Sequence, residues 1–241
     1  MIKKILKSIM RKAGWELHRI SVTTRSSMNS GLLWLSKQGF KVNTILDVGA
    51  SNGCWSKECM NFFPAADYIL FEPQPVHGAS LDYFSETCKQ KVSLVKKAVG
   101  ASEGKTFFDA SEPFSGALTN NEKGNSVIEV ELTTIDASLS KLKAVGPYLL
   151  KLDTHGFEKS ILNGACHTLE QTEILIIEAY NYKITDETLL FWELCAFLSE
   201  KGFRPIDLVD VMHRLHDNSL WQMDIFFVRS GWSGFKYTSY K

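Results

Sequence analysis

Apolar residues in this chain fall into two alternating patterns. Short apolar runs predict strands over residues 44–48, 68–72, 92–95, 147–152, 174–177, 203–209 and 223–228. Between them, apolar residues recur at helical spacing and predict helices over 31–38, 53–63, 76–88, 158–169 and 187–201, with Pro75 near the start of one and Gly202 stopping another. The segments Lys105–Phe108 and Val127–Leu132 turn β-like around a polar loop and predict a small antiparallel insertion on the main sheet. Strand and helix alternation gives an α/β, Rossmann-like, mostly parallel sheet of seven strands. The last two strands are joined without a helix, so the final one runs antiparallel.

The first strand opens into Asp47-Val-Gly49-Ala-Ser51-Asn52-Gly53. Strand, glycine turn and helix start are the construction that holds nucleotide-like ligands, with Gly49 and Gly53 allowing a tight turn and close approach. The spacing lacks the middle glycine of Gly-x-Gly-x-x-Gly. An acid two places before Gly49 suits a ligand with a cationic amino-acid part, such as S-adenosylmethionine, better than a pyrophosphate. The second strand ends in Glu72-Pro73, where a carboxylate can accept both hydrogen bonds of a ribose diol. The bland alternative is an ordinary βαβ unit with an exposed Glu72.

Ligands of open α/β sheets sit at the carboxyl ends of the strands. Asp47, Glu72, Asp153 and Glu178 all fall at such ends and are expected to converge on one face. Two other motifs are false leads. Gly100-Ala-Ser-Glu-Gly-Lys-Thr106 is one residue short of a phosphate loop and reads as a hairpin turn. His213-Arg-Leu-His216 lacks a third zinc ligand at a recognised spacing, though the loop is a candidate acceptor contact.

Composition adds bounds. The chain has 241 residues, fitting one large domain, and its five cysteines form no Cys-x-x-Cys pair, which fits a reducing cytoplasm. Net charge is zero but uneven: seven cations precede residue 26 against Glu16 alone. There Ile2, Ile5, Leu6, Ile9 and Ala13 recur at helical spacing opposite the cations. Such a helix suits peripheral contact with the inner face of an anionic membrane through residues 1–19, or packs on its own domain as a lid. The division expected is therefore residues 1–30 as N-terminal helix and loop and 31–241 as the catalytic domain. No basic stripe with interleaved aromatics marks a nucleic-acid partner.

The stretch Leu149-Leu-Lys-Leu-Asp-Thr-His-Gly-Phe-Glu158, then Ile161-Leu-Asn-Gly-Ala165, then Ile176-Ile-Glu178 resembles the FkbM family of S-adenosylmethionine-dependent methyltransferases. Asp47–Gly53 and Glu72–Pro73 match that family's earlier motifs, and the resemblance covers roughly residues 40–230. It implies a class I methyltransferase fold and O-methylation of a hydroxyl, often on a sugar of a polysaccharide, glycolipid or glycosylated natural product. His155 departs from the Gln or Glu common at its position.

Cofactor contacts are expected from Asp47, Gly49, Ser51, Asn52, Gly53, Glu72, Pro73, Ala98 and Asp153, with Ser51 and Asn52 equally placed to cap the following helix. Catalytic candidates are Asp153, His155 and Glu178. In one reading a neutral His155 takes the acceptor proton and a carboxylate orients it. In another, the carboxylates hold a divalent metal that lowers the hydroxyl's pKa. In a third, Asp153 merely caps the helix opening near Gly156. The rival functions are a nicotinamide dehydrogenase and a catalytically silent cofactor-binding domain that tethers a glycan-assembly complex.

Overall fold

A computed structural model describes residues 10, 12, 25–119, 124 and 126–240. The basic helix expected over 1–19 lies outside these residues apart from two positions. Seven strands form the main sheet: β1 (Thr44–Val48), β2 (Asp67–Phe71), β3 (Val92–Val95), β8 (Tyr148–Leu152), β9 (Thr172–Tyr180), β10 (Phe203–His213) and β11 (Leu220–Arg229). Their order is β10-β11-β9-β8-β1-β2-β3. The pairs from β9 to β3 are parallel, and β11 runs antiparallel to both its neighbours. This is the Rossmann-like class I methyltransferase architecture expected.

The central strands β1, β8 and β9 are mostly apolar because both faces are covered. Leu46, Leu150, Leu175 and Phe227 face one core, which α4 (Ile135–Leu142), α5 (Glu158–Asn163), α6 (Cys166–Glu170) and α7 (Phe191–Glu200) cover through Ile135, Ile161, Leu169 and Leu194. Their strand neighbours Ile45, Leu149, Ile174 and Phe226 face the other core, covered by α1 (Met28–Ser36), α2 (Cys54–Cys59) and α3 (Gly78–Thr87). The period of two along each strand thus feeds two cores at once.

The structure differs locally from expectation in several places. The helix expected over 158–169 is two helices, because Gly164 lies so close to the Gly100 carbonyl that a Cβ there would sit 2.1 Å from it. The helix expected over 53–63 is confined to α2 and ends at Met60. The β insertion is not on the main sheet: β4 (Ala98–Val99), β5 (Gly104–Asp109), β6 (Ala117–Thr119) and β7 (Val127–Thr133) form a sheet of their own around Phe108 and Val130. The Gly100–Thr106 loop is not a hairpin, since β4 and β5 flank β7 on opposite sides.

The segment before α1 is tied to the sheet. Arg25 pairs with Asp207, and the Met28 amide donates to Asp210 at 2.7 Å. Ser27 caps α1, which begins three residues before its expected start. Among the described residues no helix is long and apolar enough to cross a membrane.

Candidate active site

The turn after β1 is shaped by backbone contacts. Gly49 has φ +78, and a Cβ there would meet the Asp153 carbonyl at 2.0 Å, so the close approach of β1 to β8 requires glycine. The amides of Gly49 and Ala50 both donate to the Phe71 carbonyl at 3.0 Å. Ser51 also has positive φ, and its amide donates to Glu72 Oε2 at 2.8 Å. Asn52 accepts from the Cys54 amide and so serves the start of α2.

A cavity of about 310 Å³ opens between this turn and the insertion. Gly49, Ser51, Glu72, Pro73, Ala98 and Asp153, all expected cofactor contacts, line it. Val48, Phe71, Val99, Phe108, Phe157 and Ile161 make most of the wall apolar, as a heterocycle requires. Asp47, Asn52 and Gly53 are not on the wall. Asp47 is fully buried within β1, where Ser56 Oγ donates to it at 2.7 Å and Lys151 Nζ stands 3.3 Å away.

Glu72 is the polar anchor of the wall. Each carboxylate oxygen accepts one backbone amide, from Ser51 and from Gln74, both at 2.8 Å. One acceptor site therefore remains on each oxygen, the complement of a diol. Burial pushes this carboxyl above the usual range, and the two amides oppose the shift.

On the cavity wall, Asp153 and His155 stand with Glu178 so that their ligand atoms lie within 4.8 Å of one another. The turn between them is built by Glu158, whose carboxylate accepts from Thr154 Oγ1 and the Gly156 amide, both at 3.1 Å. His155 and Gly156 both take positive φ, turning the imidazole toward β9. Its Nδ1 lies 2.9 Å from Tyr180 Oη and 3.3 Å from Glu178 Oε2. Tyr180 and Gln222 donate to Glu178, one to each oxygen.

Charge in this region is unbalanced. Lys151 is buried between Asp47 and Asp153, the latter at 3.1 Å. Burial works against its ammonium, but Asp153 and Asp47 outweigh that and hold it above its ordinary range. Burial likewise opposes charge on His155, yet the Glu178 hydrogen bond and the charges of Glu178 and Asp153 raise it to about 9. The neutral imidazole expected of a general base is therefore not what this site holds near pH 7. Asp224, opposite Glu178 in the β11–β9 register, is pushed up to about 7 by burial and then by Glu178 and Asp153.

The structure also shows residues that sequence reasoning missed. Tyr180 shares a strand face with Glu178 through the period of two, a readable signal. Gln222 and Asp224 arrive through antiparallel register with Tyr180 and Glu178. Lys151 lies inside the recognised motif, yet its role needs the parallel pairing that sets it beside Asp47. His213 and His216 are exposed and off the cavity wall, while Arg214 pairs with Asp217 and lies over the Tyr182 ring.

No curated protein sequence matches the chain. Similar solved structures include precorrin-6y C5,15-methyltransferase from Geobacter metallireducens, at 14% identity and TM-score 0.44, covering 88% of this chain and 94% of that one. Magnesium protoporphyrin IX methyltransferase from Synechocystis PCC 6803, with bound S-adenosylmethionine, matches at 12% identity and TM-score 0.45, covering 95% and 97%. An uncharacterized protein from Listeria monocytogenes matches at 12% identity and TM-score 0.48, covering 86% and 69%. Likeness at this level says nothing about an acceptor. Residues 47–205, well over half of the chain, match the FkbM methyltransferase domain. With the glycine turn, the buried Glu72 and this match in hand, the chain belongs to the FkbM family of methyltransferases and uses S-adenosylmethionine.

Proposed function

We propose that this enzyme O-methylates a hydroxyl, that of a sugar in a polysaccharide, glycolipid or glycosylated natural product. One observation carries the reading: Asp153 and His155, two members of the cluster with Glu178, line the same cavity as Glu72. A cofactor held by its ribose on Glu72 would share this cavity with Asp153 and His155.

The cavity fits S-adenosylmethionine through Glu72 and the apolar wall, and when bound that cofactor supplies an electrophilic methyl group. The chain's own contribution is positioning and proton handling. Lys151 Nζ occupies Asp153 Oδ2, leaving Oδ1 to accept the acceptor's hydroxyl proton. His155, held as imidazolium, keeps Glu178 and Asp153 compensated rather than serving as base. The surplus of carboxylates disfavours a polyanionic acceptor such as RNA and suits a neutral glycan. The seven cations before residue 26 favour a cytoplasmic enzyme working at the inner membrane face.

A second reading rests on the 4.8 Å grouping of Asp153, His155 and Glu178, a nitrogen and oxygen donor set that suits a divalent cation. Labelled methyl transfer to a panel of saccharides, with and without exhaustive chelation, tests both. Transfer to saccharides that survives chelation supports the Asp153 reading. Transfer lost on chelation supports the cation, and transfer to nucleic acid but to no saccharide contradicts the acceptor class.

A further inference from the structure

The cofactor cavity is covered from the insertion side by the segment joining β5 to β6. Pro113, Phe114 and Gly116 line the cavity from above. Their outer faces are open to solvent from Ser111 to Ser115, and Phe114 is 67% exposed. Among the described residues, 111–116 form no backbone hydrogen bond to another backbone group. What holds the segment down is a set of side chains from the other wall. Gln74 Nε2 donates to the Glu112 carbonyl at 3.2 Å, and His77 Nε2 bonds the Pro113 carbonyl at 2.6 Å. The His77 ring also packs on that of Phe114, with centroids 5.5 Å apart.

The origin of these two side chains matters. Gln74 and His77 come two and five residues after Glu72, and the Gln74 amide itself donates to Glu72 Oε1. His77 Nε2 also stands 3.3 Å from Ser51 Oγ in the glycine turn. Both side chains are about 5% exposed. A short stretch of six residues therefore carries the diol acceptor at one end and the fastening of the roof at the other. Lifting the roof would break these bonds and leave buried donors to find other partners, which is unfavourable.

We propose that Gln74 and His77 are positioning residues that latch Glu112–Gly116 over the bound cofactor, so that this segment must lift for cofactor to exchange. The inference rests on the assignment of this cavity to S-adenosylmethionine. The latch acts on exchange, not on the methyl transfer itself. It also ties occupancy of Glu72 to closure, because the segment that meets the ribose is the one that grips the roof.

The test measures dissociation of S-adenosylhomocysteine from the full chain by stopped flow, for wild type, Gln74→Leu, His77→Leu and His77→Gln. Each leucine variant should release the ligand between about threefold and tenfold faster, the scale of one lost hydrogen bond. His77→Gln, whose amide can still donate to Pro113, should recover much of the wild-type rate. Hydrogen exchange on the wild-type chain needs no variant: the ligand should slow exchange of the 111–116 amides. Leucine variants that release ligand at the wild-type rate would overturn the latch. So would a ligand that protects 49–53 but leaves 111–116 unchanged. A wild-type chain with no affinity for S-adenosylhomocysteine would instead overturn the cofactor assignment, and the latch with it.

Discussion

His155 Nδ1 lies 3.3 Å from Glu178 Oε2, across the mouth of two neighbouring parallel strands. That pairing makes the imidazole a cation in the resting protein and gives it a pH signature. Its folded value, about 9, lies above the ordinary 6.5. A raised folded value stabilises the fold fully below pH ~6.5 and loses that contribution as pH rises through 9. In chelated buffer, His155→Ala should therefore lower the thermal midpoint most near pH 6, and the difference should narrow by pH 10. The contribution is on the order of 3 kcal/mol at most. Calorimetric scans across that range check it, and a difference that widens with pH would contradict it.

The same pairing separates two candidate bases. With Asp153 as proton acceptor, methyl transfer is already near its plateau at pH 7. With His155 as acceptor, the rate would climb through pH 9 as the imidazolium loses its proton. A pH–rate profile under saturating cofactor distinguishes these, and the flat profile is expected.

Lys151 sits between Asp47 and Asp153 with almost no solvent contact. Lys151→Met should cost about 3–5 kcal/mol by leaving buried carboxylates uncompensated. Adding Asp47→Asn should recover part of that loss, because the two residues share one charge balance. Urea denaturation of the singles and the double closes the cycle. Strict additivity would show that the pair is not coupled.

Gly49→Ala should destabilise the fold by about 3 kcal/mol or more, since a side chain there collides with the Asp153 carbonyl and meets a positive φ. An unchanged urea midpoint would mean that β1 and β8 can separate without cost.

The basic segment before residue 20 carries a prediction of its own. Deleting residues 1–19 should abolish binding to anionic vesicles and leave methyl transfer to a soluble acceptor intact. Loss of folding on deletion would favour the alternative, a helix packed on its own domain.

Much of this molecule is legible in its residues. Thr44–Val48 and Val92–Val95 have the bounds expected, because each is a short, mostly apolar run between polar or glycine residues. Ile135–Leu142 escaped notice even though Thr134 caps it and Ile135, Leu139 and Leu142 share a face. The break at Gly164 could not be seen, since its cause is the distant carbonyl of Gly100. Site chemistry divides the same way. Gly49, Glu72 and Asp153 stand out by position at strand ends. Asp47 has the same signature, yet its carboxylate points into the protein toward Ser56 and Lys151. The roof contacts of Gln74 and His77 were invisible because their partners are backbone carbonyls, which leave no mark on residue type.

The most direct measurement is calorimetric titration of S-adenosylhomocysteine into the wild-type chain and Glu72→Ala. If Glu72 accepts the ribose diol, the wild type binds and the variant binds at least about tenfold more weakly, the loss of two hydrogen bonds to a charged acceptor. Without ligand the variant should melt below the wild type, because the Ser51 and Gln74 amides lose their acceptor, yet remain folded at the temperature of the titration. No binding to the wild type, equal binding to both proteins, or tight binding of NADH in its place would contradict the account.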